Sequence, residues 1–344
     1  MKVLRWRRAA VGLTVIAVLA TAVLGTGGLA QELRFLRIGT GATGGTYFPV
    51  GGLIANAISN PPGSRPCEAG GSCGVPGLIA VTQSTQGSVA NILSIADGSL
   101  DMGLSQADIA YFAYFGRGNF AGKPPITGIQ AVANLFPEKI HVVVRADSGI
   151  RSVRDLRGKR VSLGEKESGT LVSARIVLAA YGLEPANLEA HYEKVGTSGD
   201  MLVEGSLDAF FMVGGEPINA IADTAAVIDI ALLPIDGAEA EAIRKEHPFL
   251  AATDVPANTY AGVETTPTLA VGAQWIVAES MSADLVYAVT AALWHPNSRR
   301  VLDAGHPNGR KIQLERALDG VAIPLHPGAA RFYDEAGLTR AGVF

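Results

Sequence analysis

The stretch Asp97-Gly98-Ser99-Leu100-Asp101 returns in the second half of the chain as Glu204-Gly205-Ser206-Leu207-Asp208. Each copy follows an amphipathic helix and precedes a short apolar strand. In the first, Val89, Ile92, Leu93 and Ala96 fall at helical spacing before Gly98 ends the helix. Met102-Gly103-Leu104 is then a strand leading to Ser105 and Gln106. In the second, Met201-Leu202-Val203 end the helix, and Ala209 to Val213 form the strand before Gly214-Gly215. The upstream units match as well. Ile38 to Gly45 is a strand and a glycine loop before a helix from Thr46 to about Ser59. Arg160-Val161-Ser162-Leu163 is a strand whose loop opens a helix through Ala180, stopped by Tyr181-Gly182. Both halves read strand, loop, helix, then helix, turn, strand. That grammar predicts two α/β lobes of parallel strands joined by crossover helices, with ligand loops at the carboxyl ends of the strands.

Ahead of this repeat, residues 1–30 read as an export signal. Lys2, Arg5, Arg7 and Arg8 form a basic start, an apolar run covers Ala9 to Leu24, and Gly28-Leu29-Ala30 offers small residues before a cut at Gln31. The apolar run is short for a membrane anchor. Removing the leader takes four of the 28 basic residues and none of the 32 acidic ones, leaving 24 against 32. No basic stripe remains to neutralise phosphates, which argues against a nucleic-acid role. The remaining length suits two domains. Cys67 and Cys73 are the only cysteines and bracket a glycine-rich loop, which in an exported chain reads as a local disulfide.

The buried-type strand Ile140 to Arg145 carries the chain from the first lobe to the second, and Thr268 to Val277 carries it back. The expected division is therefore 31–140 plus 268–344 for lobe I and 141–267 for lobe II, with a hinge and the ligand cleft between them.

Ser168-Gly169-Thr170, at a helix start, is the strongest candidate for capturing a carboxylate, because its N–H groups are unpaired and its hydroxyls can donate. The plainer reading of Ser168 is an N-cap. From the facing lobe, the loop holding Gly41 and the stretch Gly45-Thr46-Tyr47 would close on the ligand, with Tyr47 as an apolar wall with a polar tip. Its plainer reading is a residue packing the first helical turn. Ser84, Thr85 and Gln106 stand at loop and strand ends that reach the cleft. Gly214 and Gly215 would allow backbone contact, and Phe211 would pack the cleft floor. No arginine lies inside these loops, so no bidentate clamp is evident.

Three other chemistries fit less well. Gly39-x-Gly41-x-x-Gly44 has dinucleotide-fingerprint spacing but lacks the acidic residue at a second strand end. The six histidines form no zinc-type pair, and no G-x-S-x-G elbow occurs. No cofactor and no metal are expected, and the chain reads as a binding protein rather than an enzyme.

The chain resembles the extracytoplasmic solute receptors of TRAP transporters, in the TAXI branch. The markers are Gly39-Thr40-Gly41 with Gly45-Thr46-Tyr47-Phe48-Pro49, Thr85-Gln86-Gly87-Ser88-Val89, and Val142-Val143-Val144-Arg145-Ala146-Asp147-Ser148-Gly149-Ile150. Gly158-Lys159-Arg160-Val161-Ser162-Leu163-Gly164 with Ser168-Gly169-Thr170 and Ile323-Pro324-Leu325-His326-Pro327-Gly328-Ala329 complete them. The pattern is departed from at Gln86, where glycine is usual, and in the Cys67–Cys73 insertion. The resemblance implies a type II periplasmic-binding-protein fold closing on glutamate, glutamine or a dicarboxylate such as 2-oxoglutarate. It further implies a monomeric periplasmic receptor serving a fused-type TRAP permease driven by an ion gradient. The rivals are a receptor of an ABC importer and, further off, an enzyme on the same two-lobed fold.

Overall fold

The strand over Arg34–Gly39 (β1) buries Leu36 and Ile38 and leaves Phe35 and Arg37 outside, the period-two pattern of a sheet with one covered face. In this computed structural model, which describes residues 33–321 and 323–338, β1 opens the first repeat. Helix α1 (Tyr47–Ile58), the two-residue strands β2 (Ser59–Asn60) and β3 (Val75–Pro76), and strand β4 (Leu78–Gln83) follow. Helix α2 (Ser88–Ala96), strand β5 (Met102–Gln106) and helix α3 (Ala107–Phe115) complete it. The long strand β6 (Ile129–Arg145) then leads to β7 (Arg160–Ser162), α4 (Gly169–Ala180), β8 (Glu189–His191), α5 (Val195–Glu204) and β9 (Ala209–Gly214). After α6 (Asn219–Ala225), β10 (Ile230–Leu232), α7 (Gly237–Glu246) and β11 (Ala251–Val255), the second long strand β12 (Thr266–Ala278) returns. Helices α8 (Ala283–Trp294), α9 (Pro296–Gly305) and α10 (Pro327–Glu335) close the chain.

The sheet order is β4-β1-β5-β12-β6-β9-β7-β8, a path symmetric about its centre. β1 lies parallel between β4 and β5, as β7 lies parallel between β8 and β9. The long strands differ from that rule. β12 and β6 run antiparallel to each other and to their flanking neighbours β5 and β9. They cross the middle of the sheet in opposite directions, which is what outgoing and returning connections require.

The recurring pentapeptide has the same job in both copies. Gly98 and Gly205 sit at φ +81° and +72°, a conformation only glycine adopts freely at a helix end. Leu100 and Leu207 are buried. Asp101 then accepts from the backbone N–H of Arg37 at 2.7 Å and from its Nε at 3.1 Å. Asp208 makes the equivalent bonds to Arg160, at 2.8 and 3.1 Å. The motif therefore ends a helix, plugs the core and locks one strand to the next.

One core cluster joins Ile38, Ile54 and Phe136 to Trp275 and Leu293, and another joins Val142, Val161 and Val177 to Phe211 and Leu269. Three His-Pro pairs cap helices near the carboxyl end. The Nδ1 atoms of His295, His306 and His326 accept from the backbone N–H of Asn297, Asn308 and Gly328 at 3.1 to 3.2 Å. Cys67 and Cys73 are joined by a disulfide. No helix among the described residues is long and apolar enough to cross a membrane. The expected leader at 1–30 lies outside the described residues.

Candidate functional site

Four helices begin at one place. α1, α2, α4 and α5 start at Tyr47, Ser88, Gly169 and Val195, and all four of these residues line a single cavity. None of the four has an acidic residue in its first turn. By contrast α3, α7 and α8 carry Asp108, Glu239 and Asp284 there. A helix N-terminus holds unpaired N–H groups and roughly half a positive charge. Four such ends without internal compensation favour an anion between them.

The cavity encloses about 60 Å³. One buried water needs about 10–15 Å³, so the space suits a small solute. The walls meet around it. Gln86 Oε1 accepts from the backbone N–H of Glu167 at 3.1 Å, and Ala90 N–H donates to Glu167 O at 3.0 Å. Ala220 N–H donates to Gly44 O at 3.0 Å on the other side. The residue at which this chain departs from its resemblance, Gln86, thus ties the two walls together.

Of the residues expected from sequence, Gly41, Gly45, Thr46, Tyr47, Gln106, Ser168, Gly169, Thr170 and Phe211 come together in the lining. Ser84, Thr85, Gly214 and Gly215 stand behind it. Ser84 Oγ donates to Gly41 O at 2.9 Å, and Thr85 Oγ1 donates to Asn91 Oδ1 at 2.7 Å. Gly215 O accepts from Thr46 Oγ1 at 2.8 Å and from Asn308 Nδ2 at 2.9 Å. These four shape the loops that carry the lining.

The hydroxyls of Ser168 and Thr170 in the lining are engaged by other groups of the protein. Ser168 Oγ donates to Glu165 O at 2.6 Å and accepts from Leu171 N–H at 3.1 Å, so Ser168 is the N-cap of α4. Thr170 Oγ1 accepts from Val213 N–H at 3.2 Å. The cap takes the N–H of Leu171, which leaves those of Gly169 and Thr170 without an intrahelical acceptor. Gln106 is fully buried, and neither atom of its amide has a partner. Its side chain lies on Gly169, where an added Cβ would stand 1.5 Å from Gln106 Oε1. An orphaned buried amide costs about 1–3 kcal/mol, which a ligand can recover.

The model of the NMT1-like family matches residues 38–337. The chain belongs to the NMT1-like family. Among solved structures it is similar to one titled as a periplasmic transporter, at 15% identity over 80% of this chain and 89% of that one, TM-score 0.50. A methylphosphonate complex of PhnD1 from Prochlorococcus marinus matches at 10% identity over 78% and 89%, TM-score 0.48. The periplasmic aliphatic sulphonate binding protein of Escherichia coli matches at 15% over 88% and 79%, TM-score 0.44. The architecture is the type II periplasmic-binding-protein fold.

In this NMT1-like chain, sequence reasoning missed the acidic part of the site. Glu138, Glu165 and Glu193 line the cavity, and no lysine, arginine or histidine does so among the described residues. Glu138 lies in β6 and is almost fully buried, and its Oε2 accepts from the Tyr47 hydroxyl at 2.6 Å. Burial raises its carboxyl to about 8, against the lowering effect of the Tyr47 bond, and Asp108 pushes in the same upward direction. Burial also raises Asp108 to about 6 and lifts Glu165. Tyr47 is held well above the usual phenol range by burial and by Glu138. The available signal was Glu138-Lys139, an adjacent charged pair in the middle of a largely apolar strand. Lys139 pairs instead with Glu216, at 2.7 Å.

Proposed function

We propose that this NMT1-like chain is an exported solute receptor that captures a small carboxylate by lobe closure and presents it to a membrane permease. The observation that carries the reading is the meeting of four helix N-termini, none with an acidic residue in its first turn, in one partly enclosed cavity with no cation in its lining among the described residues. Such a site holds a carboxylate through backbone N–H groups rather than an arginine clamp. Gly169 and Thr170 supply those groups from one wall, and Gly45, Thr46 and Tyr47 stand on the other. The Gln106 amide adds a donor and an acceptor.

The lobes in this reading are 31–140 with 268–344, and 141–267, hinged at β6 and β12. An open form exposes both walls, and a ligand that binds both shifts the population to a closed form. The candidate ligands in this reading are glutamate, glutamine and dicarboxylates such as 2-oxoglutarate. A periplasmic location follows from the leader at 1–30. The TAXI-type markers support a TRAP permease. An ABC importer is the second reading, and membership of the NMT1-like family fits it. A fused permease gene beside this one would favour the first and an ATPase gene the second.

Mass spectrometry of small molecules released by denaturing the purified protein tests the reading. Calorimetric titration of the stripped protein with glutamate, glutamine, 2-oxoglutarate and C4-dicarboxylates follows. A stoichiometric carboxylate that rebinds unchanged is the expected outcome. No released ligand and no heat with any of them would defeat it.

A further inference from the structure

The helix ends account for a carboxylate, but they leave a carboxyl group at the cavity wall unexplained. Glu138 is 2% exposed, lines the cavity and has Tyr47 as its hydrogen-bond donor. Its sequence neighbour Lys139 is committed elsewhere, to Glu216 and to Asp254 O at 2.6 Å. Among the described residues, the ionisable groups that bear on Glu138 or share its cavity are all acids. Tyr47 comes from α1, Asp108 from the start of α3, Glu165 from the loop before α4, and Glu193 from the loop before α5. A buried carboxylate with no cation is costly, and it takes up a proton or waits for a positive partner.

We propose that Glu138 is the counter-ion for a protonated amino group on the ligand, and that it gives up a proton when the ligand enters. The proposal rests on the receptor reading above and selects within it. The ligand is an amino-bearing carboxylate, with its carboxylate at the helix ends and its ammonium at Glu138. A dicarboxylate lacking nitrogen would set a second negative charge among Glu138, Glu165 and Glu193, with nothing positive to meet it. The proton balance is simple. The empty receptor holds Glu138 as the neutral acid near pH 7, the ammonium enters carrying its own proton, and the Glu138 proton passes to solvent. Tyr47 keeps its hydroxyl hydrogen and continues to donate to the carboxylate, which strengthens that bond.

The test is calorimetry of the stripped full chain with glutamate at pH 7, in buffers of differing ionisation enthalpy. About one proton should be released per glutamate bound, and affinity should fall close to tenfold per pH unit below about 8. In Glu138→Gln, both the proton release and that slope should vanish, with at least tenfold weaker glutamate binding and a reduced preference over 2-oxoglutarate. A thermal melt of the variant shows that it is folded. Glutamate binding without proton release in the wild type would overturn the proposal while leaving the receptor reading intact. So would unchanged proton release in the variant, or tighter binding of 2-oxoglutarate than of glutamate. Failure of every carboxylate to bind would overturn both.

Discussion

The hydroxyl of Thr46 donates to the carbonyl of Gly215 at 2.8 Å, joining the start of α1 to the end of β9 across 169 residues of chain. Asn308 Nδ2 donates to the same carbonyl at 2.9 Å, and Lys311 Nζ reaches Glu216 Oε1 at 3.1 Å. Gly215 leaves no room for a side chain, since a Cβ there would meet Asn308 Oδ1 at 2.5 Å. Together these groups fasten the loop after β9 to α1 and to the segment after α9.

Asn308→Ala should therefore weaken ligand capture without touching the ligand. Losing one buried bond of this kind costs about 1–1.5 kcal/mol, or roughly tenfold in affinity if the bond forms only on closure. Calorimetry of the variant against the best wild-type ligand checks it. Unchanged affinity would mean that the fastening is present in the open form too.

Gly169→Ala separates folding from binding. Alanine suits the first turn of a helix, but its Cβ would displace the Gln106 amide, the far end of a movable side chain. The expected result is a thermal midpoint close to wild type with binding reduced more than tenfold. A variant that binds normally would remove the Gln106 amide from the site.

Ser168→Ala should cost about 1 kcal/mol of stability by uncapping α4. Its hydroxyl is engaged by Glu165 O and Leu171 N–H, so its effect on affinity should stay below that of Gly169→Ala. Denaturant titration and calorimetry on the same preparation compare the two.

His141 should withdraw stability as pH drops from about 6.5 towards 4, while Glu138 and Asp108, whose raised carboxyls take up protons in the folded chain, work in the opposite direction. Burial pushes the His141 imidazole down to about 4, even though its Nδ1 lies 2.9 Å from Lys139 O, and Tyr260 OH sits 3.1 Å from Nε2. The unfolded chain binds a proton below the ordinary value near 6.5 and the folded one does not, so acid favours unfolding. At pH 4 this amounts to about 3 kcal/mol for His141 alone. Across this range the unfolding midpoint of His141→Gln should gain on that of the wild type as pH falls. An equal slope would assign the effect to other groups, such as His306 and His326, which burial also lowers.

Replacing both Cys67 and Cys73 with serine should lower stability by about 2 kcal/mol, the loop-closure value for so short a ring. Neither cysteine lines the cavity, so ligand affinity should not change. A large loss of affinity would show that the loop reaches the site through α1.

The sequence by itself determined the repeat and, through it, the sheet. Gly98, Leu100 and Asp101, with their counterparts Gly205, Leu207 and Asp208, carry local instructions that need no distant partner to be read: end a helix, bury a leucine, start a strand. The glycine loops and helix starts around Tyr47 and Ser168 were legible for the same reason, because capping and strand alternation are short-range. Only the tertiary structure decided which helix ends meet. Ser88 and Val195 gave no sign of facing the same space as Gly169, since convergence depends on how β5 and β9 flank the long antiparallel strands. Glu138 did not stand out in the sequence, and burial beside Tyr47 and Asp108 made it the acid of the cavity. Ser168 could be read as a ligand donor or a cap, and the cap became visible only when its hydroxyl was seen to meet Glu165 O and Leu171 N–H. Local backbone preference is written in neighbouring residues, whereas burial and charge pairing arise from residues far apart in the chain.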